Sequence, residues 1–225
     1  MLERESAGSK KILAYTALGD SLTAGVGKPF FSPGFVQLFS RKMEEELDVR
    51  VKSAIFDRSG ATSEQVLESI VRHPYIQMKI KESDMITISA GGNDFINAVT
   101  SFLQNKDEGV FSAALDSCIQ HLKQMIHEII HLKTDEKSIY MVRLLNLYNP
   151  FPNEPLAVKW ISIFDSQLSK FSINSHVKVA PLHKAFAGRE EELLAKDRIH
   201  PNGKGYEVIA ASLAELGFED WNPYE

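Results

Sequence analysis

Several features that would define a protein class are scarce in this sequence. It has one cysteine, Cys118, in 225 residues, which excludes an internal disulfide framework and a cysteine-rich zinc site. No stretch approaches the roughly 20 apolar residues that span a bilayer. Lys and Arg total 25 against 30 Asp and Glu, a net charge of −5. Without a basic surplus, a nucleic-acid partner is not expected.

What remains is ordinary for a globular protein: 44% of the residues are hydrophobic and 24% are charged. The polar start predicts a flexible lead over residues 1–9, and we expect residues 10–225 to form one domain. The apolar run Ile12–Leu18 is too short for the core of a signal peptide. The default expectation is therefore a cytoplasmic protein.

Short apolar runs alternate with longer amphipathic stretches along the chain. The runs predict strands at Ile12–Ala17, Val49–Phe56, Met85–Ala90, Ser138–Leu145 and His176–Leu182. The stretches predict helices at about 34–47, 62–72, 95–104, 110–133, 156–172 and 203–216. This alternation is typical of α/β proteins. We predict a flavodoxin-like three-layer α/β/α sandwich around a five-stranded parallel sheet.

Polar and glycine-rich segments follow the predicted strands. They are Gly19-Asp20-Ser21-Leu22 after the first, Gly60 after the second, Gly91-Gly92-Asn93-Asp94 after the third, and Asp197-Arg198-Ile199-His200 after the fifth. Parallel sheets bind ligands at the carboxyl ends of their strands, so these segments should meet at one edge. Together they supply the parts of a serine acyl-transfer site.

The chemistry of acyl transfer suggests a role for each segment. A serine hydroxyl needs an adjacent base, and His200 can activate Ser21 in this way. Asp197 lies close enough in sequence for its carboxylate to orient the His200 imidazole. The backbone N–H groups of Ser21 and Gly60 and the side-chain amide of Asn93 are candidate donors for an oxyanion hole.

This set of segments resembles the four blocks of the SGNH hydrolase superfamily, the GDSL lipases and esterases. The resemblance spans about residues 12–216. Within the superfamily, the sequence is most similar to bacterial GDSL-type lipases, including those associated with Bacillus spores. It implies the SGNH fold, a Ser21–His200–Asp197 triad, and an oxyanion hole of Ser21, Gly60 and Asn93. It also allows a spore or membrane-peripheral location. Some members carry Asn where this sequence has Arg58.

Apolar residues crowd the predicted edge, namely Phe30, Phe31, Phe95, Ile96 and Phe151. They suggest an acyl-binding pocket, since ligand sites are mostly apolar. We therefore expect an enzyme that hydrolyses lipid or medium-chain acyl esters, lysophospholipids included, without metal or organic cofactor. A carbohydrate acetyl esterase and an acyltransferase remain alternatives on the same triad. The oligomeric state is open, and a monomer is compatible with the sequence.

Two other classes of function have some support in the sequence. His127-Glu128-Ile129-Ile130-His131 matches the H-E-x-x-H zinc motif. However, both histidines fall on the face of the predicted helix opposite its apolar stripe, so we expect them in solvent. A flavodoxin-like binding protein is the more distant alternative. It would give Asp197 and His200 no role, and the first loop has few of the groups that cradle a phosphate.

Overall fold

The computed structural model describes residues 10–134, 139–173 and 176–219, and the predicted lead at residues 1–9 lies outside them. The strands are β1 (Ile12–Gly19), β2 (Arg50–Asp57), β3 (Met85–Ser89), β4 (Met141–Leu145) and β5 (Val177–Ala180). The helices are α1 (Ser21–Ala24), α2 (Phe35–Leu47), α3 (Ser63–Arg72), α4 (Pro74–Glu82), α5 (Gly92–Asn105), α6 (Gly109–Lys133), α7 (Pro155–Leu168), α8 (Leu182–Phe186), α9 (Glu190–Leu193) and α10 (Gly203–Ala214). A 3₁₀ helix at Ser169–Ile173 follows α7.

The strands form one parallel sheet in the order β2-β1-β3-β4-β5. Gly19, the last residue of β1, pairs with Asp57 on one side and Ser89 on the other. The carboxyl ends of β1, β2 and β3 are therefore level. The chain places β2 on one side of β1 and then crosses to place β3 on the other side. The loops therefore diverge between β1 and β3, and parallel sheets bind ligands at such a point.

Apolar side chains on the two faces of the sheet belong to two separate cores. Tyr15 and Ala17 of β1 face the core formed with α2 and α10, and Leu18 faces the core formed with α3 to α7. Strands β3 and β4 are buried along their whole length. This is the pattern of a parallel sheet covered on both faces, and it confirms the predicted three-layer α/β architecture.

The boundaries differ from the prediction where glycine or proline controls the backbone. Helix α5 begins at Gly92 rather than at residue 95, directly after Gly91 in a left-handed conformation. Strand β5 ends before Pro181, which has no N–H for a sheet ladder and precedes α8. Helix α4 was not predicted, and Pro74 at its first turn lets a new helix start straight after α3. Ser138 of the predicted fourth strand lies outside the described residues.

Helix α6 covers the sheet with Phe111, Leu115, Cys118, Leu122, Met125 and Ile129 buried along one side. Cys118 is fully buried, as a packing residue would be. None of the helices in the described part of the chain is both long and apolar enough to cross a membrane.

Candidate active site

Ser21 is the first residue of α1, directly after β1. Asp20 caps this helix, and its Oδ1 accepts a hydrogen bond from the N–H of Leu22 at 3.0 Å. Gly19 has φ 155°, and a Cβ there would come within 2.2 Å of the Ser89 hydroxyl. Only glycine allows β1 to turn this sharply against β3. The first N–H groups of a helix have no partner within it, so the N–H of Ser21 is available for a ligand.

The segment that carries Asp197 and His200 is a tight loop before α10. Oδ1 of Asp197 accepts hydrogen bonds from the N–H groups of Ile199 and His200, both at 3.0 Å. Arg198 has φ 57°, which turns the chain back. The N–H of Ala195 then donates to the His200 carbonyl at 2.7 Å, closing the loop. Asn202 caps α10, since its side-chain oxygen accepts a hydrogen bond from the N–H of Gly205 at 3.1 Å.

Ser21, His200 and Asp197 form one hydrogen-bonded chain, although Ser21 and His200 are 179 residues apart in sequence. Nε2 of His200 is 2.9 Å from the Ser21 hydroxyl oxygen, and Nδ1 is 2.7 Å from Oδ2 of Asp197. A carboxylate only accepts hydrogen bonds, so Nδ1 carries the proton. Nε2 is then free to accept the hydroxyl proton of Ser21. This arrangement can activate a serine hydroxyl for attack on a carbonyl carbon.

A buried tyrosine anchors each of the two loops, Tyr148 after β4 for the histidine loop and Tyr206 on α10 for the serine loop. The Tyr148 hydroxyl donates to the carbonyl of Ile199, and the Tyr206 hydroxyl donates to the carbonyl of Val26, both at 2.7 Å. At Gly27, a Cβ would lie 2.7 Å from the Cβ of His200. Glycine there lets the two loops approach closely. Neither the tyrosines nor Gly27 was predicted, because their partners are distant in sequence.

The two carboxyls of the site, Asp197 and Asp20, are in opposite environments. Partial burial disfavours the charged form of Asp197, but the N–H groups of Ile199 and His200 and the imidazole outweigh it and lower the pKa of Asp197. Burial raises the pKa of Asp20 to about 6, despite its hydrogen bonds from Ser89 and Leu22. The Asp197 carboxylate is thus kept charged, which suits a group that stabilises an imidazolium.

Gly60 lies at the exposed tip of a turn after β2. The N–H of Ala61 donates to the carbonyl of Arg58 at 3.0 Å, and Gly60, third in this turn, has φ 80°. A type II turn needs a positive φ at this position, which favours glycine. The N–H of Arg58 donates to the carbonyl of Gly19 at 2.9 Å, which fixes the turn beside the end of β1. Its position at the edge next to Ser21 agrees with the prediction.

Asn93 is half-buried in the first turn of α5. Its Nδ2 donates to the carbonyl of Ala61 at 2.9 Å. An amide nitrogen has two hydrogens, so this bond orients the side chain and leaves one N–H for a ligand. The segments after β1, β2 and β3 thus supply three candidate donors for an oxyanion hole, namely the N–H groups of Ser21 and Gly60 and the side-chain amide of Asn93.

Four of the five apolar residues predicted to bind substrate are accessible. Phe30 and Phe31 are 88% and 95% exposed, and Ile96 and Phe151 are about half exposed. The two phenylalanines form the tip of a turn closed by the Ser32 N–H and the Pro29 carbonyl at 2.9 Å. Phe95 differs, since it is buried and its ring packs edge-on against Phe164. Phe95 therefore belongs to the core beneath the site. The other four residues, Phe30, Phe31, Ile96 and Phe151, are called the exposed rim.

His127 and His131 lie on the exposed face of α6. Within the ranges described above, no group of three or more His, Cys, Asp or Glu side chains is arranged to hold a metal ion. A zinc site needs three protein ligands in a sheltered position, and the H-E-x-x-H pattern does not provide them here.

The family model that matches this chain covers most of it. The model of the GDSL-like Lipase/Acylhydrolase family matches residues 17–208, a range that contains every segment of the site described above. The chain belongs to this family. The resemblance read from the sequence is confirmed, and the chain is an ester hydrolase of the SGNH fold.

Individual relatives agree with this family. The spore germination lipase LipC of Bacillus licheniformis is 42% identical over 206 residues, which are 92% of this chain and 97% of that protein. The lipase Lip_vut3 from a goat rumen metagenome is also 42% identical, with a TM-score of 0.88 over 92% of this chain and 98% of that one. The acetylxylan esterase Axe2 of Geobacillus stearothermophilus has a TM-score of 0.69 over 96% and 98% of the two chains. At 18% identity, Axe2 is similar in fold alone.

Proposed function

We propose that this GDSL-family hydrolase cleaves carboxylic esters of lipids or medium-chain acids through an acyl-enzyme on Ser21. The proposal is carried by one observation, the hydrogen-bonded chain from the Ser21 hydroxyl through His200 to Asp197. Residues 10–225 then form one catalytic domain, because these hydrogen bonds join Ser21, near the start of the sequence, to Asp197 and His200, near its end.

The first half of the reaction forms the acyl-enzyme. The Ser21 oxygen attacks the ester carbonyl carbon while Nε2 of His200 takes the hydroxyl proton. The N–H groups of Ser21 and Gly60 and the amide of Asn93 stabilise the negative charge on the tetrahedral oxygen. The carbon–oxygen bond to the alcohol then breaks, and His200 returns the proton to the departing alcohol.

The second half releases the acid. A water molecule attacks the acyl carbonyl carbon as His200 takes one of its protons, and the same donors stabilise the second tetrahedral oxygen. The bond to Ser21 breaks, the serine recovers its proton from His200, and the carboxylic acid leaves. Asp197 keeps its negative charge throughout and stabilises the imidazolium.

Labelling with a fluorophosphonate tests the nucleophile. The phosphorus bonds to the activated serine oxygen and fluoride leaves. We expect a label on the peptide that contains Ser21 and none in Ser21→Ala. His127→Ala, which removes an exposed histidine of α6, should label like the wild type. A folded wild-type protein without a label on Ser21 would overturn the mechanism.

The exposed rim suggests the class of substrate. Phe30, Phe31, Ile96 and Phe151 are accessible apolar side chains on the segments that follow β1, β3 and β4. Apolar surface favours a long acyl chain by about 0.8 kcal/mol for each buried CH₂ group. A series of p-nitrophenyl esters should therefore give a larger kcat/KM for octanoate than for acetate. Equal or better hydrolysis of acetyl esters, including acetylated xylan, would contradict a lipid-ester substrate.

A double variant tests the rim directly. Phe30→Ser with Phe31→Ser should lower kcat/KM for octanoate by about tenfold and leave acetate nearly unchanged, since only the longer chain reaches the aromatic turn. Tyr75→Ser is the matched control, because Tyr75 is an exposed aromatic residue on α4. An equal loss for both esters would mean that the turn supports the fold or the serine rather than the acyl chain.

Similarity to a spore germination lipase also suggests where the enzyme acts. We propose that it serves in spore germination, as the name of LipC states for that protein. Expression in a Bacillus licheniformis strain without LipC should restore the germination rate. Expression of Ser21→Ala should not, and restoration by this variant would separate any spore role from ester hydrolysis.

A further inference from the structure

A second cluster of serine, histidine and aspartate lies behind the oxyanion segments. Ser63, the first residue of α3, is completely buried. Its N–H donates to Oδ2 of Asp94 at 2.8 Å, and its hydroxyl donates to Oδ1 at 2.6 Å. Nδ1 of His121, on α6, is 2.8 Å from the same hydroxyl oxygen. Three helices therefore meet at one serine.

The hydrogens of this cluster can be assigned from the chemistry of its groups. A carboxylate only accepts, so the single hydroxyl hydrogen of Ser63 goes to Asp94. The Ser63 oxygen must then accept a hydrogen from His121. His121 consequently carries its proton on Nδ1, and the chain runs from the imidazole through the hydroxyl to the carboxylate. Ser63 has no base to activate it and is no second nucleophile.

This cluster connects the two segments that carry the oxyanion donors. Asn93 donates to the carbonyl of Ala61, next to Gly60, and Asp94 binds Ser63 on the same segment. Consecutive residues at the start of α5 thus hold the Gly60 turn at two points. The spacing between the Gly60 N–H and the Asn93 amide depends on these bonds. Donors stabilise an oxyanion only when they lie about 2.7 to 3.1 Å from it and are held in place to within about 0.5 Å.

Helix α6 is well placed to support this arrangement. Cys118, one turn before His121, packs against the start of α5, where a Cβ on Gly91 would lie only 3.0 Å from its Sγ. The backbone of α6 is thereby fixed against α5. His121 is the point at which α6 also bonds to Ser63 of α3.

We propose that His121 is a positioning residue for the oxyanion hole. Its Nδ1–H fixes the Ser63 hydroxyl, the hydroxyl fixes Asp94, and Asp94 keeps Asn93 and the Gly60 turn at the spacing that a tetrahedral oxyanion requires. This inference rests on the proposed esterase function. His121 touches neither Ser21 nor His200, so its effect is on transition-state stabilisation rather than on substrate binding.

Steady-state kinetics on three variants of α6 test the proposal. His121→Ala should lower kcat by about tenfold with KM within about twofold of the wild type, because the oxyanion forms only in the transition state. His121→Asn, whose amide can donate from near the Nδ1 position, should recover most of kcat. His127→Ala, an exposed histidine on the same helix, should match the wild type. Each assay is run well below the melting temperature of the variant.

Two kinetic results would overturn the role of His121. One is a kcat for His121→Ala equal to that of His127→Ala. The other is an equal loss in His121→Ala and His121→Asn, which would mean that the donated hydrogen is irrelevant. If instead the wild type neither hydrolyses esters nor labels at Ser21, the proposed function itself fails.

A measurement on the unchanged protein covers the case in which His121→Ala does not fold. Long-range ¹H–¹⁵N spectra of the imidazole rings report which nitrogen is protonated. The His121 signals are assigned by their loss in His121→Asn. If that variant is also unfolded, they are assigned by their correlation to the His121 backbone. We expect a proton on Nδ1 of His121. A bare Nδ1 would overturn the assigned chain, whatever the activity of the enzyme.

Discussion

Two clusters in this enzyme contain the same three residue types but connect them differently. At the edge of the sheet the order is Ser21, His200, Asp197, and the histidine lies in the middle. Behind it the order is His121, Ser63, Asp94, and the serine lies in the middle. A histidine between serine and carboxylate presents a bare nitrogen to the hydroxyl. A serine between them gives its hydrogen to the carboxylate and becomes a fixed link.

The two serines also differ in their exposure to solvent. Ser21 is partly accessible, whereas Ser63 is completely buried. The comparison teaches that residue composition does not identify a catalytic triad. The direction of each hydrogen bond and access to a substrate decide whether a serine can attack a carbonyl.

Exchange of the two serines for alanine gives the largest expected contrast. Ser21→Ala should reduce kcat by about 10⁴-fold or more, because the proposed nucleophile is lost. Ser63→Ala should reduce it by only about tenfold, since it loosens the proposed oxyanion donors without removing one. Both are measured with p-nitrophenyl octanoate, with circular dichroism to check the fold. Comparable losses in the two variants would break the distinction between the clusters.

Replacement of the carboxylate at the edge tests the direction of its hydrogen bonds. Asp197→Asn can keep the bonds to the backbone N–H groups but turns an NH₂ group toward Nδ1, which places the imidazole proton on Nε2. The kcat should fall by about 10³- to 10⁴-fold. Asp197→Ala leaves the imidazole free to choose its tautomer and should cost less than asparagine. A larger loss for alanine than for asparagine would argue that the hydrogen bonds that this side chain accepts in the loop matter more than the imidazole tautomer, since both variants remove the charge.

Asn93 stands between the two clusters, since it carries a candidate donor and also binds Ala61. Asn93→Ala should lower kcat by about 10²- to 10³-fold with KM little changed. Gln104→Ala, at an exposed position near the far end of the same helix, is the control. A loss no greater than that of His121→Ala would mean that Asn93 only positions the turn and donates nothing to the substrate.

The smallest expected effect concerns Asp20, the buried carboxyl beside Ser21. Burial raises its pKa from 3.8 to about 6, so between about pH 4 and pH 6 the folded protein binds a proton that the unfolded chain has lost. The contribution of Asp20 to the free energy of unfolding therefore falls through this range as the pH rises, by about 2 to 3 kcal/mol.

Asp20→Asn isolates this contribution. Asparagine keeps an oxygen for the Leu22 N–H and the Ser89 hydroxyl but does not titrate. Urea unfolding at several pH values should show the variant gaining stability relative to the wild type from about pH 4 to pH 6. Parallel stability profiles for the two proteins would mean that Asp20 does not titrate in this range.

Most of the architecture could be predicted because it depends on local patterns. Alternation of apolar strands and amphipathic helices determines a parallel α/β sheet, and glycine or proline at strand ends determines where loops begin. The segments around Ser21, Asn93 and His200 could be predicted to meet because the carboxyl ends of parallel strands lie at one edge. Their catalytic roles are still predictions, although their placement is as expected.

What the sequence by itself determined, then, was the sheet, the order of its layers and the residues gathered at one edge. Only the tertiary structure decided that Phe95 turns into the core, that Tyr148 and Tyr206 each anchor one of the two loops, and that His121 reaches Ser63. The physical reason is that periodicity and turn chemistry act between near neighbours in sequence. The direction of a hydrogen bond between distant residues depends on the packing of α3, α5 and α6, which no local pattern encodes.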